Sequence, residues 1–374
     1  MVPYIASFTT AFILAWISEK ERHIKNTKRL AQVLLVFSAV VLSALAAMRA
    51  DSIGTDVQTY VIRFFNGARG YSSFIKYLSF FPLDYVEPGY KLFNYVISRF
   101  TDDIKVLHFC IALFDLSFVL TYLWENRKKM SVSLGLLVFM LMLYNVGFNA
   151  VRQTMAVCVC LYAFNSARDR KLKKFLLLIL IAGMFHRSAV VMAITYPLVA
   201  IFEKRKIKES NRLIGIIAVI SVVVLLFVNS IVGVLIRVGI FPVKFSHYIG
   251  NSFSLSRMSA FIFLIPVIVV FKIYENKYYE IDRFNMVLLL YVILWPILAQ
   301  LDSVSDQFGR MAYFFSVANI GIYAQIPIVQ KRVRNKSNTR IVSYMIILFL
   351  IGYWILNFYV WKVGSTVPYL FSEG

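Results

Sequence analysis

Acidic residues are scarce in this chain, 19 Asp and Glu against 40 Lys and Arg, and charged residues of either sign make up only 16% of it. Apolar residues reach 60%, well above the roughly half of an ordinary soluble domain, which excludes both a soluble globule and a disordered tail. Cysteine is limited to Cys110, Cys158 and Cys160, all inside apolar runs. Three cysteines cannot make a disulfide framework, and the 158/160 spacing suits neither a redox pair nor a zinc site. They read as small buried hydrophobes. The chain has no P-loop, GxGxxG, DxD, HExxH or GxSxG pattern, and its basic connections are short. An ATP-driven pump and a nucleotide-sugar transferase are both disfavoured.

What the chain does have is apolar runs, at about 2–18, 30–48, 104–124, 131–148, 150–166, 174–186, 188–202, 213–236, 259–274, 284–301, 310–328 and 341–361. A bilayer span needs about 20 mostly apolar residues in a helix, so these are twelve candidate spans, several of them short. Positive charges follow the first run rather than precede it, so it reads as a retained helix and not a cleaved signal. Placing the N-terminus outside puts every basic cluster on one side: 20–29, 127–129, 168–174, 204–212, 272–283 and 331–340. The net charge of +21 is then mostly topology, not a nucleic-acid footprint. The expectation is a single all-α polytopic domain over 1–374 with both termini outside. The lipid bilayer is its surroundings, and nucleic acid is not a partner. Residues 49–103 form the largest polar stretch, on the outer side. Aromatics run through it (Phe64, Phe65, Tyr71, Phe74, Tyr77, Phe80 and Phe81), as in short amphipathic helices lying at the interface.

The informative residues are polar groups at membrane depth near the outer side, where an ionisable group costs roughly 2.5–3.5 kcal/mol unless it faces a cavity or a partner. Arg49 and Asp51 leave an apolar helix together, followed by Gly54, Thr55, Asp56 and Tyr60. Asp56 reads either as the cap of a helix beginning near Val57 or as a functional carboxylate. Glu87 precedes Pro88 and Gly89, which is either an ordinary helix start or a carboxylate placed for proton transfer. Asn145, Asn149, Arg152 and Gln153 share one helical face by spacing, as helix–helix glue or as the lining of a polar cavity. His186 and Arg187 sit at the tip of a hairpin of short runs, which recesses them below the outer surface. His23, His108 and His247 lie in a basic loop, a span and an outer loop. Asp302, Asp306 and Arg310 fall on one helical face, as a surface pair or with Arg310 turned into the same cavity. Several arginines thus converge on the outer face, and a guanidinium fork binds phosphate bidentately. The physical suggestion is a membrane site for a lipid-linked diphosphate.

At these residues the chain resembles the EpsG branch of the Wzy-like polysaccharide polymerases. The stretches that carry the resemblance are Arg49 with Gly54–Thr55–Asp56 and Tyr60, then Glu87–Pro88–Gly89–Tyr90. Asn149 with Arg152–Gln153 and Ala156 follows, then His186 with Ser188–Ala189, and finally Arg310 with Tyr313. The resemblance implies a glycosyltransferase in a bacterial cytoplasmic membrane, active on its outer face without cofactor or metal. It would transfer a growing glycan from undecaprenyl diphosphate onto a new lipid-linked repeat unit, with a chain-length regulator protein as a further partner. By analogy Arg152, Arg187 and Arg310 would neutralise the leaving diphosphate, with Arg49, Tyr60, Asn149 and Gln153 holding sugar or phosphate. His186, Asp56 and Glu87 are the candidate bases, His186 slightly favoured because its proton exchange lies near neutral pH. Competing readings are a flippase for the same lipid-linked units, a glycan ligase and an acyltransferase.

Overall fold

A computed structural model describes residues 1–21, 27–80, 86–239, 265–303, 309–332 and 337–372. His23, Phe81, His247 and Asp306, and the side chain of Asp302, lie outside the described residues. The fold is all-helical, as the apolar runs require: inside a bilayer every backbone N–H and C=O must be paired within its own segment. Among the described residues six helices, against the twelve spans expected, are long and apolar enough to span: Val2–Glu21, Lys28–Ala47, Ile104–Glu125, Val132–Asn149, Ile207–Leu226 and Ala312–Lys331. Shorter apolar helices include Val228–Arg237 and Asn285–Ala299. The run at 213–236 is divided at Phe227, and the run at 188–202 begins as a tight 3-10 helix, Arg187–Ile194, before Thr195–Glu203.

The helices form a core and a ring. Val132–Asn149 is 89% buried and Ala312–Lys331 83%, whereas Ile207–Leu226 is only 17% buried. Val151–Arg168 joins the core helices, with its apolar side chains, Cys158 and Cys160 almost wholly enclosed. Around them, Val2–Glu21 packs on Lys28–Ala47, which packs on Ile104–Glu125, while Leu172–Phe185 packs on Val151–Arg168. Ring helices turn large apolar side chains outward, Val219, Leu226 and Phe227 among them. That is the arrangement expected where the solvent is hydrocarbon.

Residues 49–103 fold as short helices: Val57–Ile62, a wide π turn, running into Arg63–Arg69, then Phe74–Phe80 and Pro88–Ile97. Their aromatics pack inward on one another. Tyr77 stacks on Tyr95 at 6.2 Å and donates its hydroxyl to the Phe64 carbonyl at 2.9 Å. The C-terminal segment returns to the same end of the molecule as a strap. Ala50 N–H donates to the Leu370 carbonyl at 2.8 Å, Ser372 N–H to the Met48 carbonyl at 2.9 Å, and the Tyr4 hydroxyl to the Thr366 carbonyl at 2.7 Å.

Candidate active site

The site grows from a break in the core. The helix Asn145–Asn149 stops at Ala150, whose backbone is bent to φ −89°, ψ 55°, and a new helix, Val151–Arg168, starts at once. The loop before Val57 lies directly on this break. Gly54 has φ +97°, and a Cβ there would stand 2.2 Å from the Phe148 carbonyl oxygen; only glycine meets both demands. With the loop so close, Asn149 Oδ1 accepts the Asp56 N–H at 3.2 Å and the Thr55 hydroxyl. Asp56 heads the Val57–Ile62 turn but makes no side-chain cap. Its carboxylate instead reaches Arg310, Nη1 to Oδ2 at 3.4 Å.

A second carboxylate is placed by close packing. Gly89 sits so tightly on the end of Leu172–Phe185 that an added Cβ would stand 2.7 Å from the Met184 carbonyl oxygen. That contact brings Glu87 beside the hairpin tip, where Oε1 accepts the Arg187 backbone N–H at 3.2 Å and Oε2 pairs with the Arg152 guanidinium. Glu87 also declines to cap its own helix. The Glu87 and Arg152 side chains are 9% and 15% exposed, so water screens this pair far less than a surface one. Arg152 also lies over the Tyr60 ring, 4.6 Å from its centroid, a cation–π contact.

Between these pairs lies a narrow cleft, lined by Asp56, Tyr60, Ala150, Val151, Arg152, Gln153, His186 and Arg310. His186 ends Leu172–Phe185 in extended conformation, with its ring 6.2 Å from that of Phe314. Its Nδ1 is buried without a hydrogen-bond partner among the described residues. Gln153 Nε2 donates to the Arg310 carbonyl and so ties the last wall to the helix start. The Val151–Arg168 helix directs its N-terminus at the cleft, an end that favours anions through its free N–H groups and dipole. Two guanidiniums and that terminus can hold an anionic group, and an imidazole stands among them to take a proton.

The model of the EpsG family matches residues 32–371, nearly the whole chain and every residue of the cleft. The chain belongs to the EpsG family. That family is one of Wzy-like polysaccharide polymerases. No curated protein and no solved structure gives a significant match to this chain.

In this EpsG-family protein six of the sequence-chosen residues meet in the cleft: Asp56, Tyr60, Arg152, Gln153, His186 and Arg310. Glu87 stands one contact behind, through Arg152, and Arg187 is exposed beside it. Asn149 acts on the loop that carries Asp56. The single face expected for Asn145, Asn149, Arg152 and Gln153 is interrupted at Ala150. Asn145 therefore turns to the C-terminal helix and strap, accepting from Trp354 Nε1 at 2.8 Å and donating to Thr366 Oγ1 at 2.9 Å. Arg49 lies apart from the cleft. It is 3% exposed, stacks 4.1 Å from the Phe148 ring centroid, and lines a separate internal cavity with His108 and Asp115. The sequence reading passed over Asp115, although an acid in the middle of the 104–124 run is itself the signal.

Proposed function

We propose that this protein is a polysaccharide polymerase of the bacterial cytoplasmic membrane. It transfers a growing glycan from undecaprenyl diphosphate onto a new lipid-linked repeat unit, in a cleft open to the outer face. The observation that carries this reading is the convergence of Arg152, Arg310 and His186, with two carboxylates, at the N-terminus of one core helix. The acceptor hydroxyl oxygen attacks the anomeric carbon, the bond from that carbon to the diphosphate oxygen breaks, and His186 takes the hydroxyl proton. Glu87 is held by Arg152 and the Arg187 N–H, and Asp56 by Arg310, which leaves the imidazole as the better placed base. Developing charge on the leaving diphosphate is met by Arg152, Arg310 and the exposed Arg187, donors fixed before the reaction begins. The Arg310–Asp56 pair is the looser of the two, at 3.4 Å with Arg310 35% exposed, so Arg310 can exchange its carboxylate for phosphate. Tyr60 and Gln153 position the sugar, and a chain-length regulator is the expected protein partner. The test is a gel profile of surface polysaccharide from a deletion strain carrying wild type, Arg152→Ala, Arg187→Ala or Arg310→Ala. Single repeats in place of the long-chain ladder, unrestored by the variants, support the reading. An unchanged ladder overturns it.

A further inference from the structure

A second, narrow cavity lies beside the cleft and serves no step of the transfer. It holds about 20 Å³, room for a water molecule, between Lys28–Ala47, Ile104–Glu125 and the segment 139–154, and is lined mostly by apolar side chains but also by Arg49, His108, Asp115, Tyr144 and Thr154. Four of these are ionisable and almost fully buried, Arg49 at 3%, His108 at 1%, Asp115 at 5% and Tyr144 at 4% exposure. Both ring nitrogens of His108, Asp115 Oδ1 and Arg49 Nε have no hydrogen-bond partner among the described residues. Buried polar atoms are normally paired with protein or water. Four orphans around one cavity therefore point to a small guest with hydrogen-bonding capacity.

The geometry orders them. His108 and Asp115 are seven residues apart, two turns along the same face, so about 10 Å separates them. Arg49 lies just past the end of Lys28–Ala47, beside the strap and at the cleft end of the molecule. The cavity is thus a shaft: Arg49 at its outer end, His108 next, and Asp115 about 16 Å in from the start of its helix. The charged and titratable groups that line the cavity with Asp115 are His108 on its own helix, Arg49 and Tyr144, and Cys158 of Val151–Arg168 lies within electrostatic reach of it. Tyr144 gives its hydroxyl to the Leu42 carbonyl. An ionised carboxylate without a partner is expensive in apolar surroundings, and a proton taken onto Asp115 removes that cost. A metal cation entering the shaft meets the fixed positive charge of Arg49 first; a proton passing between waters and an imidazole does not have to move as an ion through it.

We propose that Asp115 is a proton-binding site inside the helix bundle, filled from the cleft end through water and His108, with Arg49 excluding metal cations. A solvent water gives a proton to one nitrogen of His108, the other nitrogen releases one, and the Asp115 carboxylate receives it; discharge runs in reverse. Asp115 lines the cavity together with Gly147 and Thr154, which stand on either side of the Ala150 break. A Cβ on Gly147 would stand 3.8 Å from its Oδ2 and 3.3 Å from the Thr154 methyl. Gain or loss of charge there acts on the start of the helix that carries Arg152. The site is independent of what the cleft transfers, and so is its test.

The full-length protein in lipid nanodiscs is treated with dicyclohexylcarbodiimide, which reacts with protonated carboxyl groups in apolar surroundings, and its peptides are mapped by mass spectrometry. The expected result is labelling at Asp115 that falls about tenfold per pH unit above its midpoint and is absent in Asp115→Asn. Infrared difference spectra should show a protonated-carboxyl band, lost in Asp115→Asn, whose exchange into deuterium slows at least about tenfold in His108→Leu. Wild-type protein without labelling at Asp115, or with labelling that ignores pH, overturns the proposal without recourse to any variant. Exchange as fast in His108→Leu as in wild type overturns the route.

Discussion

The two ends of the bundle handle charge in opposite ways. At the end away from the cleft, carboxylates and amides are shared among several partners. Asp282 takes Lys129 at 2.7 Å and Arg168 at 3.8 Å. Asn126 donates to Asn165, which donates to Glu125, both at 2.7 Å, and Arg168 closes the circuit on Asn126. At the cleft end Arg152 leans on Glu87 and Arg310 on Asp56, with open volume between the pairs. A shared network holds helix ends together, and Asp282 keeps one partner when the other is removed. Separate pairs around a cleft can each trade a carboxylate for an incoming anion. In the mechanism proposed above, the first arrangement is architecture and the second is the receptive site.

The largest break in that comparison is Arg152→Ala. In the mechanism proposed above it removes a donor to the leaving group, and it leaves the nearly dry Glu87 with the Arg187 backbone N–H. A loss on the order of 10²–10³-fold in polymerising activity is expected, read as collapse of the long-chain ladder at unchanged protein level. Arg152→Lys keeps the charge but not the planar fork, and should recover only part of the activity. Asp56→Asn comes next. Arg310 keeps its charge and loses its anchor, so a roughly tenfold loss carried mainly by weaker substrate binding is expected in a reconstituted assay. Gly89→Ala tests placement rather than chemistry. Its new methyl meets the Met184 backbone, which must shift at a cost of about 1–3 kcal/mol, and Glu87 shifts with it. Thermal unfolding in detergent should show the lower stability together with reduced activity.

The fold class was legible because hydrocarbon demands long apolar runs, and among the described residues the six helices long and apolar enough to span fall on six of the twelve runs. Arg152, His186 and Arg310 were legible for the complementary reason, being polar groups where a bilayer penalises them. Asp56 and Glu87 were ambiguous, since each stands where a helix cap would. The ambiguity is resolved only by contacts with residues 254 and 65 positions away. The break at Ala150 left no mark, because alanine is a good helix former and the loop at Gly54 that packs on the break comes from nearly a hundred positions away. A periodicity argument across that break therefore joined Asn145 to Arg152 on one face that the chain does not keep. Arg49 failed for a related reason: sequence gave its depth but not the side of the Phe148 ring on which it lies.

The smallest expected effect is at the far end, and it decides whether the contrast is sound. Lys129 is 43% exposed, and Asp282 keeps Arg168 when the ammonium is removed. Lys129→Ala should therefore cost about 0.5 kcal/mol or less, with the polysaccharide ladder unchanged. A thermal shift in detergent and the same gel measure both. If this variant instead shortens the ladder as Arg152→Ala does, the far network is coupled to transfer, and the division of the bundle into an architectural end and a receptive end fails. If only stability moves, charge at the two ends differs in purpose as well as in pattern, because the same kind of substitution touches activity at one end alone.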